Sequence, residues 1–191
     1  MEQQTIGTDD TSRDPDGIKA GARRLRAQRM MSRRATIGLA VVAGTIALDQ
    51  AIKWWLLAFY GIAERHPVEV TPFFNLVMTW NRGVSFGLFS EYGDLMRWLL
   101  FGFAVTVSIA MAVWMTRATN LLLTVALGLI TGGALGNAID RVAHGAVADF
   151  FDFHVAGWHF WAFNVADSAI SVGVVLLLWD AFFGSGRRQG E

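Results

Sequence analysis

Residues 163–180 read FNVADSAISVGVVLLLWD. From Asn164 onward the stretch has the apolar character of a membrane helix, yet a carboxylate, Asp167, stands at its mouth. An ionisable group that close to lipid is costly and marks function by default. The fold depends on how many such segments accompany it, and the chemistry on whether Asp167 has company.

A hydrocarbon core of about 30 Å needs roughly 20 apolar residues of helix. Four segments of the 191-residue chain meet that length: about 36–60, 97–116, 119–139 and 164–183. The second and third are joined by the short TRATN and form a helical hairpin. Only 17% of residues are charged and 53% are hydrophobic, which is far from an average soluble domain. The expected fold is therefore an all-α integral membrane protein of four transmembrane helices. The domain is expected over 35–184, flanked by a basic, disordered tail over 1–34 and a short tail over 185–191. Residues 1–34 contain no apolar run and do not read as a cleavable signal peptide.

Orientation follows the Lys/Arg bias of the connecting segments. The tails and the 117 loop carry eleven basic residues, eight of them in residues 1–34; the other side carries Arg65, Arg82, Arg97 and Arg141. Both termini are thus expected in the cytoplasm, with loops 61–96 and 140–163 on the periplasmic face. Those loops, VEVTPFFNLVMTWNRGVSFGLF and AVADFFDFHVAGWHFWAF, are aromatic and β-branched with turn signals at Pro72, Asn81-Arg82-Gly83 and Gly157. A small β-sheet at the outer interface is expected from them. The zero net charge offers no field for nucleic acid, and the absence of Cys excludes a disulfide framework and a thiol nucleophile. Gly128, Gly132 and Gly136 recur at four-residue spacing, a pattern that lets helices approach closely in lipid.

The polar residues near lipid fall at one depth. Asp49 and Lys53 are i,i+4 and pair on one helix face, a structural ion pair in the outer half of the first span. Asn137 and Arg141 stand at the outer end of the third, with Asp140 between them. If VADFF is extended, Asp149 shares a face with Val147, Phe151 and Phe153. Asp152 then lies on the opposite face with Phe150 and His154, and is expected to be a solvated or interfacial carboxylate. Asn164 and Asp167 open the fourth span. Two neighbouring carboxylates cannot both ionise readily, so one keeps its proton. The ionised one can activate water and the protonated one can polarise a carbonyl, which is aspartic-type hydrolysis. A metal site built from His144, His154, His159 and the carboxylates is the rival; it lacks a helical HExxH spacing, and no metal or other cofactor is expected. A small proton-coupled transporter using outer-leaflet carboxylates is the alternative from another class. It would want acids across the bilayer depth, whereas only Asp180 lies on the inner side.

The motifs LDQAIK (48–53), WNRGVSFGLF (80–89), GNAIDR (136–141), VADF (147–150) and FNVADS (163–168) occur in this order and register with four spans. In these the sequence resembles the lipoprotein signal peptidases, or type II signal peptidases, over about residues 36–183. The resemblance implies an aspartic endopeptidase of the bacterial inner membrane, and a monomer is expected. It would cut diacylglyceryl-modified prolipoproteins just before the lipidated lipobox Cys, at a site near the periplasmic face, and would be open to globomycin-type inhibitors. It implies Asp149 and Asp167 as the catalytic pair. Asn81, Asn137, Arg141 and Asn164 match supporting polar positions, and Asp49, Lys53 and Asp140 match structural ones. The long charged N-terminal tail departs from the family pattern.

Overall fold

The structure is a computed structural model that describes residues 15–83 and 93–184. By its packing the chain divides between Arg33 and Arg34. The described part of the first unit is helical, with Arg23, Arg26, Arg29 and Arg33 exposed. Disorder was expected there. Residues 1–14, and the C-terminal tail from 185, lie outside the described residues. Over 15–34 the run of Ala, Arg, Leu, Gln and Met consists largely of strong helix formers, and it joins the helix that follows.

That helix, α1, spans Pro15–Trp54 and continues as a π-helical turn, Trp55–Tyr60, which stops at Gly61 in the left-handed region (φ 65°). A single turn, α2 (Ile62–Arg65), leads into strands β1 (Val68–Thr71) and β2 (Phe74–Asn81). Helices α3 (Gly93–Met115) and α4 (Leu121–His144) form the expected hairpin. Strands β3 (Val147–Val155) and β4 (Trp158–His159) precede α5 (Val165–Phe183). Four helical stretches are long and apolar enough to cross a membrane: Gln28–Tyr60, Asp94–Met115, Leu121–His144 and Val165–Phe183. Their large apolar side chains, such as Leu39, Leu99, Phe103, Val175 and Phe182, lie exposed. Apolar surface on this scale belongs against lipid.

The central helix is α4, which is mostly buried while the other three are mostly exposed. Its glycines explain why. A Cβ on Gly132 would stand 2.7 Å from Thr45 Cβ and 2.9 Å from Val42 O of α1. One on Gly133 would collide with the carbonyl oxygen of Ala166 on α5. The small residues thus draw both partner backbones onto α4 from two sides. The helix runs past the expected end at 139 because AIDRVAH contains no breaker. Gly145 (φ 77°) stops it, its N–H bonding to Arg141 O.

The four strands form one antiparallel sheet in the order β1-β2-β3-β4. In the β2–β3 pair Leu76 faces Phe151 and Thr79 faces Asp149, so β2 carries one extra residue, a bulge, in between. Phe150 and Ala148 are fully buried against Leu56 and Ile62 at the end of the first helix. After β4 the chain continues along the same edge of β3, opposite β2, where Phe163 N donates to Phe151 O at 3.1 Å and Phe163 O accepts from Phe150 N and Phe151 N. That pairing sets the next residue, Asn164, beside Ala148 and Asp149 at the start of α5.

Candidate active site

Asn164 is the N-cap of α5. Its Oδ1 accepts from Asp167 N at 2.9 Å, and Asp167 Oδ2 accepts in return from Asn164 N at 3.2 Å. This reciprocal capping box fixes the Asp167 side chain over the first turn. The Asn164 amide nitrogen then points away from its own helix. It reaches Asp149 Oδ1 at 2.8 Å, Asn137 Oδ1 at 3.1 Å and Ala148 O at 3.3 Å, so two hydrogens serve three acceptors. Asn137, on α4, donates Nδ2 to Asp167 Oδ1 at 2.7 Å. Two asparagines therefore bridge two carboxylates that come from different elements. Arg141, one turn on from Asn137, donates to Asn137 O at 3.1 Å, and its guanidinium is within electrostatic reach of Asp167, Asp140 and Asp149. Asn81, at the end of β2, is exposed, and its side chain is near enough to Asp149 to favour the ionised carboxylate.

Asp149 is 1% exposed. Burial, followed by the charge of Asp167, pushes its carboxyl up from 3.8 to about 6, against the pull of the Asn81 and Asn164 side chains and the more distant charge of Lys53. A carboxyl poised near neutrality beside a second carboxylate is equipped for proton transfer.

Beneath this pair lies a second, fully buried layer. Lys53 Nζ is 2.8 Å from Asp49 Oδ2 and 2.7 Å from Asp140 Oδ2, and 3.3 Å from Asn137 Oδ1. The expected Asp49–Lys53 pair is present. Asp140, expected to act beside Arg141, instead pairs with Lys53 and accepts from Ala148 N at 3.2 Å. Asp49 Oδ1 accepts from Ala166 N at 3.0 Å. The ion cluster thereby ties α1, α4, β3 and α5 together. Gln50 belongs to it, donating to Asp140 Oδ1 at 2.9 Å and to Gly136 O at 3.2 Å. Sequence reasoning passed over Gln50; its place inside LDQAIK, between Asp49 and Lys53, was the available signal.

One expectation is overturned. Asp152 is not a solvated carboxylate: it is 5% exposed and bonded to His159 Nδ1 at 2.7 Å. It faces Asn75 across the β2–β3 pair, and β4 brings His159 over it, closing that face of the sheet. His144, a ligand only in the rival metal reading, is packed against Trp80, ring centroids 5.3 Å apart.

Comparison with known proteins agrees with the motif pattern. The sequence profile of the family described as Signal peptidase (SPase) II matches residues 41–183. A lipoprotein signal peptidase from Methylobacterium sp. (strain 4-46) is 50% identical over 151 residues, covering 79% of this chain and 92% of that protein. One from Methylorubrum extorquens (strain PA1) is 51% identical over 144 residues, covering 75% and 84%. Among solved structures, a bacterial membrane enzyme determined in meso at 2.3 Å superposes with a TM-score of 0.66 at 29% identity, covering 82% of this chain and 93% of that one.

Proposed function

The chain belongs to the signal peptidase II family, and we propose that Asp149 and Asp167 are the catalytic pair of an aspartic endopeptidase. The protein is a multi-pass membrane enzyme that removes signal peptides from prolipoproteins. The observation that carries the aspartic reading is the Asn137–Asn164 bridge, which holds the two carboxylates in one site. The transporter alternative has no support among the relatives. Asp180, the acid at the inner end of the fourth span, is engaged by Asn120 Nδ2 at 2.8 Å.

In this reading a water lies between the two carboxyl groups. Asp167, whose two oxygens each accept an N–H, acts as the base that takes a proton from that water. The hydroxide attacks the carbonyl of the residue before the diacylglyceryl-modified Cys. Asp149, whose carboxyl burial and the charge of Asp167 raise towards neutrality, carries the proton of the pair and donates a hydrogen bond from it to the developing oxyanion, while the proton that Asp167 took from the water passes to the leaving amine. Asn137 and Asn164 hold the pair, while Asn81 and Arg141 at the rim are placed to meet the substrate backbone. The signal peptide lies against the spans and the acyl chains stay in membrane lipid, so only the scissile bond has to reach the pair. The Lys/Arg bias supports cytoplasmic termini in the bacterial inner membrane and a site near the periplasmic face. A globomycin-type inhibitor would occupy the same place, and a single chain suffices for the site.

The test is cleavage of a diacylglyceryl-modified prolipoprotein by purified protein in detergent. Asp149→Asn and Asp167→Asn are each expected to abolish turnover, and the double variant to be no worse than either, because the two act as one unit. Glu64→Gln, on exposed α2, should cut normally. Substantial turnover by either single Asn variant would reject the pair.

A further inference from the structure

Strand alternation places Asp152 and His154 on the face of β3 opposite Asp149. His159 pairs directly with His154 across the β3–β4 hairpin, and Asn75 with Asp152 across β2–β3. Three adjacent strands thus bring four polar side chains to one patch. The two imidazoles stack with centroids 4.9 Å apart at 16°. One donor atom from each of Asp152, His154 and His159 lies within 4.8 Å of the others, and among the described residues this is the one such group of three. The patch is not satisfied internally. Asp152 Oδ1, His154 Nδ1 and Asn75 Oδ1 are all buried atoms without a hydrogen-bond partner. Asp152 Oδ2 has His159 Nδ1 at 2.7 Å and only a long contact, 3.5 Å, from Asn75 Nδ2. Leaving a buried polar atom unpaired is costly, and a shared cation would satisfy several of them together.

We propose that Asp152, His154 and His159 form a binding site for a divalent transition-metal ion of the zinc class, separate from the catalytic pair. Two imidazoles and one carboxylate are a donor set suited to zinc rather than to magnesium or calcium, which prefer oxygen. Three protein ligands leave a fourth position for water or for Asn75 Oδ1. A tetrahedral ion with bonds of about 2.0–2.2 Å holds its donors roughly 3.4 Å apart. The donors, now within 4.8 Å of one another, have to draw together on binding, and His159, whose side chain is 53% exposed, has open space on its outer side to do so. On binding, His159 exchanges its hydrogen bond to Asp152 for a bond to the ion, and its ring proton moves to Nε2. The ion would clasp the β3–β4 hairpin onto β2, on the sheet in which the pairing of Phe163 with β3 sets Asn164. Asp149 and Asp167 are not among its ligands, so the peptidase reaction stands or falls independently of it.

The experiment uses the full-length protein in detergent, with any affinity tag removed and metal stripped by EDTA. Zinc bound per chain is measured by equilibrium dialysis with elemental analysis, and Tm is followed with zinc or magnesium added. Wild type is expected to take up one equivalent of zinc, with a rise in Tm that magnesium does not reproduce. His154→Gln and His159→Gln should each weaken binding by about tenfold or more, at least the effect of losing an outer-shell partner; His144→Gln should bind as wild type. Because His159 is largely exposed, its variant keeps the fold intact. Absence of saturable zinc in the wild type, or equal affinity in all four proteins, would overturn the site and leave a hydrated polar cluster.

Discussion

Asn164 caps α5 with its side-chain oxygen and, with its nitrogen, holds Asp149 Oδ1 at 2.8 Å. One residue therefore starts the helix that carries Asp167 and orients the carboxyl that stands opposite it. The two duties separate by substitution. Asp is as good an N-cap as Asn, but it offers no amide to Asp149. Asn164→Asp keeps the cap but sets an acceptor against Asp149 Oδ1, Asn137 Oδ1 and Ala148 O, so Tm is expected to fall, and kcat of the folded protein to drop by roughly 10²–10³-fold, the usual cost of one lost site donor. A fully active Asn164→Asp protein would show that the bridge is only structural.

The raised pKa of Asp149 means that this carboxyl costs the fold stability. Below about pH 4 it is neutral in both folded and unfolded states. As pH climbs from 3.8 towards about 6 the unfolded chain loses the proton first, and stability falls; above about 6 the loss is complete. The rise corresponds to at most about 3 kcal/mol. Asp149→Asn, which is neutral throughout, should therefore melt higher than wild type at pH 7.5, and the gap should close as pH is lowered to 4. Equal melting temperatures across that range would remove the argument that burial raises this group.

The same group should govern the alkaline side of the rate profile. If Asp149 is the proton donor, kcat/KM falls as pH rises through its pKa in the free enzyme. Asn81 stabilises the ionised form, so Asn81→Ala should move that limb to higher pH. A limb that moves down, or an activity that rises through the same range, would exchange the roles of the two carboxyls.

The four apolar segments, the hairpin and the sheet were legible because hydropathy and aromatic, β-branched loops are local signals. From the residues themselves the pairing of Asp149 with Asp167 was legible as a shared depth, and the motifs VADF and FNVADS added it by resemblance. What joins them, Asn164 reaching across to β3, depends on the course of the chain after β4 and on the Phe163–Phe151 bridge, which no local pattern encodes. Asp152 was misjudged for a related reason. Alternation placed it correctly on the other face, but its burial comes from Asn75 and His159 on neighbouring strands. The partner of Asp140 was likewise hidden, because Lys53 lies 87 positions earlier in the chain and reaches it only through the glycine-mediated approach of α1 to α4.

Orientation is open to direct measurement. Reporter fusions after Arg117 and at the C-terminus should give cytoplasmic signals, and fusions near Glu64 and Gly157 periplasmic ones. The basis is the eleven-to-four bias in Lys and Arg between the two sides. A periplasmic signal at Arg117 would overturn the four-span arrangement, since α3 and α4 could not then form a hairpin that opens to the outside.

The last prediction concerns the buried layer under the proposed catalytic pair. Lys53 is 3% exposed and is the cation shared by Asp49 and Asp140, which are themselves 0% and 2% exposed. Removing it leaves two carboxylates buried without a counter-charge, and breaking such a cluster from one side costs about 3–5 kcal/mol. Lys53→Met should therefore lower Tm sharply, or prevent recovery of folded protein from the membrane. Neutralising the orphaned acids should restore much of the loss. In Lys53→Met/Asp49→Asn/Asp140→Asn the carboxamide oxygens can still accept from Ala166 N, Ala148 N and Gln50 Nε2, which the acids accept from now. The measurement is Tm of the wild type, the single variant and the triple variant in one detergent. A triple variant no more stable than Lys53→Met would show that packing around the lysine stem, and not charge balance, is what the cluster supplies.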